Sequence, residues 1–362
     1  MLNYRDSGGH GGDLLAAAAE FGIKPEDFCD FSSNVNPLGP PSGLDEELKA
    51  HINEISRYPT PQARPFRSAL SAWLGLPEEQ LLIGNGANEL IHLFFLWRRP
   101  RRVLIPCPAF SEYARAARLA GAEVERFPLP LDASLDKNSV ARLLAGVEVL
   151  VFCSPNNPTG FFYHGEALRE IIAEAGKKGV NVLLDESFLP LTGSDPADSL
   201  ARTGYDNLWV VTSLTKLWAL PGLRLGCLHG PREEINSLSQ NGDPWRVNAL
   251  AQRAGLYCLA AEGYLKKSVE LIKREREYLL ARLQEIEGIT VFPGEANFLL
   301  LKGEMDGFTS ADLFRKLASR GILIRDASNY PGLDHRYFRI AVLRREKNLR
   351  LLEELQNYFA GF

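Results

Sequence analysis

The chain has 362 residues, a length that suggests two domains or one large α/β domain with an appendage. Hydrophobic residues make up 45% and charged residues 24%, ordinary globular proportions that can build a core without staples. Lys and Arg number 41 against 45 Asp and Glu, and the net charge of −4 argues against nucleic-acid binding by phosphate neutralisation.

No apolar run approaches the ~18 residues of a membrane span, so no membrane contact is expected. The start, MLNYRDSGGHGGD, has no signal-peptide pattern, and a cytoplasmic location is expected. Cys29, Cys107, Cys153, Cys227 and Cys258 are far apart and odd in number, which excludes a disulfide framework and a CxxC metal site. The histidines show no metal-ligand spacing. No metal is expected, and demanding chemistry falls to an organic cofactor.

The first 40 residues are rich in Gly and Pro and are expected to lie across both domains. From about residue 45 to 255, short apolar runs alternate with amphipathic stretches. The predicted strands are LLIG (81–84), RVLIP (102–106), VEVLVFC (147–153), VNVLLD (180–185), LWVVTS (208–213) and LRLGCLHG (223–230). Helical patterns lie between several of them, at Ala87–Trp97, Ser111–Ala120 and Glu166–Lys178. This alternation predicts an α/β fold: a large, mostly parallel sheet with helices on both faces. A long helix follows at Glu262–Glu287, its apolar stripe interrupted by Arg276. Then come ANFLLLK (296–302), a helix near Ser310–Arg320, the strands GILIRD and YFRIAV, and a last helix Lys347–Phe359. Residues 45–255 are read as the large domain. Residues 1–44 and 256–362 are read as a smaller α+β domain.

Four motifs sit at predicted strand ends, where open α/β sheets bind ligands. In LLIGNGANELIHLFF a Gly-containing loop precedes a helix starting near Ala87, which points free N–H groups at an anion. An ordinary strand–helix turn is the competing reading, and a dinucleotide fingerprint is excluded because Glu89 stands where the third Gly belongs. SPNNPTG (154–160) offers an Asn donor, although Pro and Gly alone would make the turn. Asp185 ends VNVLLD, where a carboxylate is costly unless it is paired or caps a turn. TSLTKLWALPGLRLG (212–226) supplies Ser213, Thr215, Lys216 and Arg224. A Lys in a dry site near a carboxylate can form a Schiff base, and hydroxyls with an Arg suit a phosphate. Together these are the parts needed for pyridoxal phosphate.

Asn-Pro-Thr-Gly, Asp-Glu, Ser-x-Thr-Lys and Gly-Leu-Arg-x-Gly, in that order, resemble the class I/II aminotransferase-type, fold-type-I pyridoxal-phosphate enzymes over nearly the whole chain. The resemblance implies that Lys216 carries the cofactor, Asp185 binds its ring nitrogen and Asn157 its 3′-oxygen. It implies that the Ala87 and Asn88 N–H groups, Ser213 and Arg224 hold the cofactor phosphate, that Gly86 and Thr215 also bind the cofactor, and that Phe110 stacks on the ring. It also implies a homodimer in which Tyr58 reaches the partner's cofactor, and Arg339 as the site for a substrate α-carboxylate.

Two subfamilies are similar: the histidinol-phosphate aminotransferases and, more closely, the threonine-phosphate decarboxylases of cobalamin biosynthesis. The second likeness rests on HGGD (10–13), DFSSNVNPLGPP (30–41), WRVNALA (245–251), ANFLLL (296–301) and ILIRDASNYPGLDHRYFRIAV (322–342). It implies a phosphorylated amino-acid substrate, with His10 and Arg325 at its phosphate and Asn34 nearby. By this likeness the expected reaction is decarboxylation of O-phospho-L-threonine; transamination is the alternative. Phe188 stands where many aminotransferases of this fold have Tyr, which leaves Asn157 as the main partner of the 3′-oxygen.

Overall fold

The computed structural model describes residues 11–132, 134–163 and 165–362. Ahead of the large sheet in the chain lies β1 (Cys29–Asp30). The large sheet is built from β2 (Leu81–Gly84), β3 (Arg102–Cys107), β4 (Glu123–Pro128), β5 (Val149–Cys153), β6 (Asn181–Asp185), β7 (Leu208–Ser213) and β8 (Gly226–His229). The smaller part holds β9 (Ile289–Phe292), β10 (Phe298–Gly303), β11 (Ile322–Leu323), β12 (Arg325–Asp326) and β13 (Tyr337–Ala341).

The large sheet has the order β2-β8-β7-β6-β5-β3-β4. β4, β3, β5, β6 and β7 are mutually parallel, and β8 runs against both β7 and β2. Only β8 is reversed, so its start at Gly226 lies beside the ends of β7 at Ser213 and β2 at Gly84. That reversal brings Arg224 to the edge where the parallel strands end.

Side chains alternate between the two faces of each strand. Leu150, Phe152, Val182, Leu184 and Val210 join a core covered by the helix Gly165–Lys177. Val149, Val151, Leu183, Trp209 and Val211 join the opposite core, covered by the helices Ala87–Arg98 and Ser111–Leu119. Because both faces are covered, these strands read as unbroken apolar runs.

β4 was not expected. Its sequence, Glu123-Val-Glu-Arg-Phe-Pro128, lies on the sheet edge with only Phe127 buried, so it lacks an apolar run. GILIRD is two strands rather than one: Ile322–Leu323 pairs in parallel with β1, and Arg325–Asp326 pairs antiparallel with β13. β12, β13, β10 and β9 form an antiparallel sheet. The long helix spans Tyr264–Gln284, and its interrupting Arg276 donates to the carbonyls of Glu295 and Ala296 ahead of β10. No helix among the described residues is long and apolar enough to cross a membrane.

Candidate active site

A cavity of about 470 Å³ opens at the carboxyl ends of the central strands. Its wall includes Asn34, Ala87, Asn88, Phe110, Asn157, Asp185, Ser213, Thr215, Lys216, Arg224, Arg325 and Arg339, so most of the residues expected from sequence meet in one place. Gly86 caps the helix Ala87–Arg98 beside this wall, with a positive φ of 84° and no side-chain cap. A Cβ there would stand 2.4 Å from Arg224 Nη2, so glycine lets the guanidinium approach the helix start. Tyr58 is elsewhere, 83% exposed, its ring 5.0 Å from that of Trp245. His10 lies outside the described residues; Gly11 lines the cavity.

Asp185 ends β6 on the face shared with Leu183, toward the helix Ser111–Leu119. Its carboxylate accepts from the Tyr113 hydroxyl at 2.6 Å and from the Ser187 N–H at 2.8 Å. Burial pushes the Asp185 carboxyl upward, and these donors oppose that push. Ser187 Oγ in turn accepts from the Ser213 N–H at 2.9 Å, and the Ser213 and Thr215 hydroxyls lie 2.7 Å apart.

Lys216 sits in the short helix Leu214–Leu217 directly after β7. Burial, with the Arg339 and Arg224 cations nearby, lowers its ammonium to about 8. A lysine poised there is partly a free amine near neutral pH and can attack a carbonyl. Arg224 adopts a left-handed φ of 57°, an uncommon conformation outside glycine that is typical of constrained sites.

The small sheet contributes the facing wall. Arg339 on β13 is 5% exposed and donates to Asn157 Oδ1 at 2.6 Å and to the Ser32 carbonyl at 2.8 Å. Burial lowers its guanidinium to about 10. Arg325 on β12 is directly opposite Arg339 in the strand register. It donates to the Asp326 carbonyl and to Asn329 Oδ1. Like charges facing each other across a ladder are destabilising, and an anion between them removes the cost.

Three buried polar atoms around the cavity have no partner among the described residues: Asn34 Oδ1, Asn88 Oδ1 and Arg339 Nε. Buried polar groups are normally satisfied, so a polar ligand is the economical explanation for a cluster of them. Tyr113 and Tyr330 were missed at the level of sequence. Tyr113 stood within CPAFSEY beside Phe110, and the parity of β6 would have pointed Asp185 toward it. Tyr330 gave no signal, because it lies in the loop joining β12 to β13, and only the fold sets that loop beside Asn157.

The comparisons with known proteins agree with this arrangement. Residues 26–355 match the family described as Aminotransferase class I and II. A threonine-phosphate decarboxylase from Salmonella typhimurium is 35% identical over 355 residues, covering 97% of each chain. The crystal structure of histidinol-phosphate aminotransferase from Clostridium acetobutylicum is similar with a TM-score of 0.85 and 28% identity, over 92% of this chain and 99% of that one. That of L-threonine-O-3-phosphate decarboxylase from Porphyromonas gingivalis gives a TM-score of 0.81 and 27% identity, over 91% and 99%. The ordered strand-end residues, the fold they sit on and the match over most of its length make this chain a member of the class I and II aminotransferase family.

Proposed function

We propose that this chain is a pyridoxal-phosphate-dependent carboxy-lyase that converts O-phospho-L-threonine to (R)-1-aminopropan-2-yl phosphate and CO2 in cobalamin biosynthesis. The observation that carries the reading is the cross-strand pair Arg325 and Arg339 sharing one cavity with the half-buried Lys216. Two opposed guanidiniums suit a substrate with two anionic ends, a carboxylate and a phosphate.

The residues present fit the cofactor. The helix start at Ala87 and Asn88, with Gly86, Ser213, Thr215 and Arg224, would hold its phosphate. Lys216 Nζ would bind it covalently, and Asp185 would pair with its ring nitrogen. Phe110 would cover one ring face. Asn157 Oδ1 faces two donors, Arg339 and Tyr330, so its amide nitrogen is left to donate to the 3′-oxygen.

Pyridoxal phosphate, when bound, supplies an electron sink for a bond broken at the substrate Cα. Arg339 would bind the α-carboxylate, and Arg325 the phosphate, with His10 and Asn34 beside it. Anchoring both ends fixes which Cα bond stands perpendicular to the conjugated plane. With the Cα–carboxylate bond so placed, CO2 leaves and Lys216 Nζ can return a proton to Cα.

The exposed Tyr58 supports a homodimer in which it reaches the partner's cofactor phosphate. Exposed Ile52 and Ile55 lie on the same stretch of chain. Likeness to histidinol-phosphate aminotransferase favours transamination as the second reading. The test is to incubate purified protein, loaded with pyridoxal phosphate, with O-phospho-L-threonine. Released CO2 is measured, and glutamate formed from 2-oxoglutarate is measured alongside. CO2 without glutamate supports the lyase; glutamate without CO2 from any phospho-amino acid overturns it.

A further inference from the structure

We infer that Tyr330 is a positioning residue whose ring is the platform that aims Arg325 at the phosphate of the substrate. The inference rests on the phospho-amino-acid reading above. The Arg325 guanidinium carbon lies over the Tyr330 ring, 5.2 Å from its centroid. The ring is 6% exposed and packs against Leu300 and Ala327, so it does not move freely. Its hydroxyl donates to Asn157 Oδ1 at 3.3 Å, the same oxygen that accepts from Arg339. One side chain thus touches Arg325 through its face and the Asn157–Arg339 pair through its edge.

The register makes this contact necessary. Arg325 and Arg339 are cross-strand partners and repel each other. Arg339 is pinned by Asn157 and by the Ser32 carbonyl, so the repulsion displaces Arg325 rather than Arg339. Among the described residues Arg325 otherwise donates to the Asp326 carbonyl and Asn329 Oδ1, both on its own strand or loop. These are neutral acceptors, and a phosphate forms stronger, charge-assisted bonds in their place. During that exchange of partners the ring face is the contact that persists, and it attracts the cation throughout. Tyr330 therefore sets the preference for a phosphorylated side chain without touching the reacting bonds.

The test measures equilibrium binding by calorimetry to the cofactor-loaded protein after borohydride has reduced the lysine–cofactor bond, so that O-phospho-L-threonine and L-threonine, the two probes, bind without being turned over. Wild type, Tyr330→Leu, Tyr330→Phe, Arg325→Ala and the Tyr330→Leu/Arg325→Ala double variant are compared. Tyr330→Leu is expected to weaken O-phospho-L-threonine about tenfold, the scale of a partly desolvated cation–ring contact, and to change L-threonine less than threefold. Tyr330→Phe keeps the ring and is expected to lose no more than about threefold. In the Arg325→Ala background the leucine substitution should add almost nothing, because the platform has nothing left to hold. Equal losses for both probes, or the same tenfold loss with and without Arg325, overturn the inference. If Arg325→Ala itself leaves O-phospho-L-threonine binding unchanged, the proposed substrate class fails, and the inference with it.

Discussion

Tyr113 donates its phenolic proton to Asp185 Oδ2 across 2.6 Å, and neither side chain is more than 6% exposed. The bond joins the first turn of a covering helix to the end of a central strand. It favours the charged carboxylate against the burial that would neutralise it. Under the proposed chemistry an anionic Asp185 is what keeps the cofactor nitrogen protonated. Asp185→Asn should therefore lower kcat about a hundredfold, equivalent to ~3 kcal/mol of transition-state stabilisation. Tyr113→Phe should cost about tenfold, as expected for one lost bond to a charged group. Steady-state rates at saturating cofactor check both, and an effect on cofactor affinity alone would contradict the role.

Lys216 sets a pH dependence. In the cofactor-free protein its ammonium gives up its proton near about 8. Only the free amine attacks an aldehyde, so the rate of cofactor capture should rise through that pH and level off above it. Trapping with borohydride, followed by peptide mapping to Lys216, reads the rate directly. A profile still rising steeply beyond pH 10 would indicate an ordinary exposed lysine. Lys216→Ala should retain cofactor non-covalently and lose turnover.

Arg325→Ala should raise KM for O-phospho-L-threonine more than ~10-fold, since charge-assisted bonds contribute about 1.5–3 kcal/mol. The cofactor should remain bound, because Arg224 and Ser213 are on the other wall. If the phosphate anchor also orients the Cα–carboxylate bond, kcat falls as well and the ratio of CO2 to amine-transfer product drops. Both products are measured side by side.

Glu186 follows Asp185, is buried, and accepts from the Ser199 hydroxyl and the Leu200 N–H. Burial raises its carboxyl from 4.5 to about 7. Folding therefore favours the protonated form: the associated stability is complete below about pH 4.5 and is lost as pH rises through about 7. Glu186→Gln should gain thermal stability relative to wild type at pH 8 compared with pH 5. Unfolding midpoints of the two proteins at both pH values decide it.

The central strands could be read from sequence because burial on both faces leaves unbroken apolar runs, and Asp185, Ser213 and Lys216 then fall at their ends. β4 could not, because an exposed edge strand needs no apolar run. The division of GILIRD at Ile324 was hidden for another reason: its two halves serve different sheets, which only the partners β1 and β13 reveal. The opposition of Arg325 and Arg339 is likewise a matter of register between distant segments. Tyr330 was invisible because its contacts cross from one sheet to the other.

β1 pairs with β11, so Cys29 lies beside Ile322. The same N-terminal segment links the small sheet to the short helix that bears Lys216. Phe31 accepts from the Ala341 N–H, and Asn36 donates its N–H to the Lys216 carbonyl. Ribosomes add roughly 5–20 residues per second, so β1 waits on the order of 15–60 s after emerging before its partner strand exists. Until then Cys29 and Asp30 have no ladder to hold them, and the short helix bearing Lys216 lacks one of its supports. The pocket of a newborn chain is thus completed by segments made far apart in time, and only after the strands at 322–341 have been synthesised.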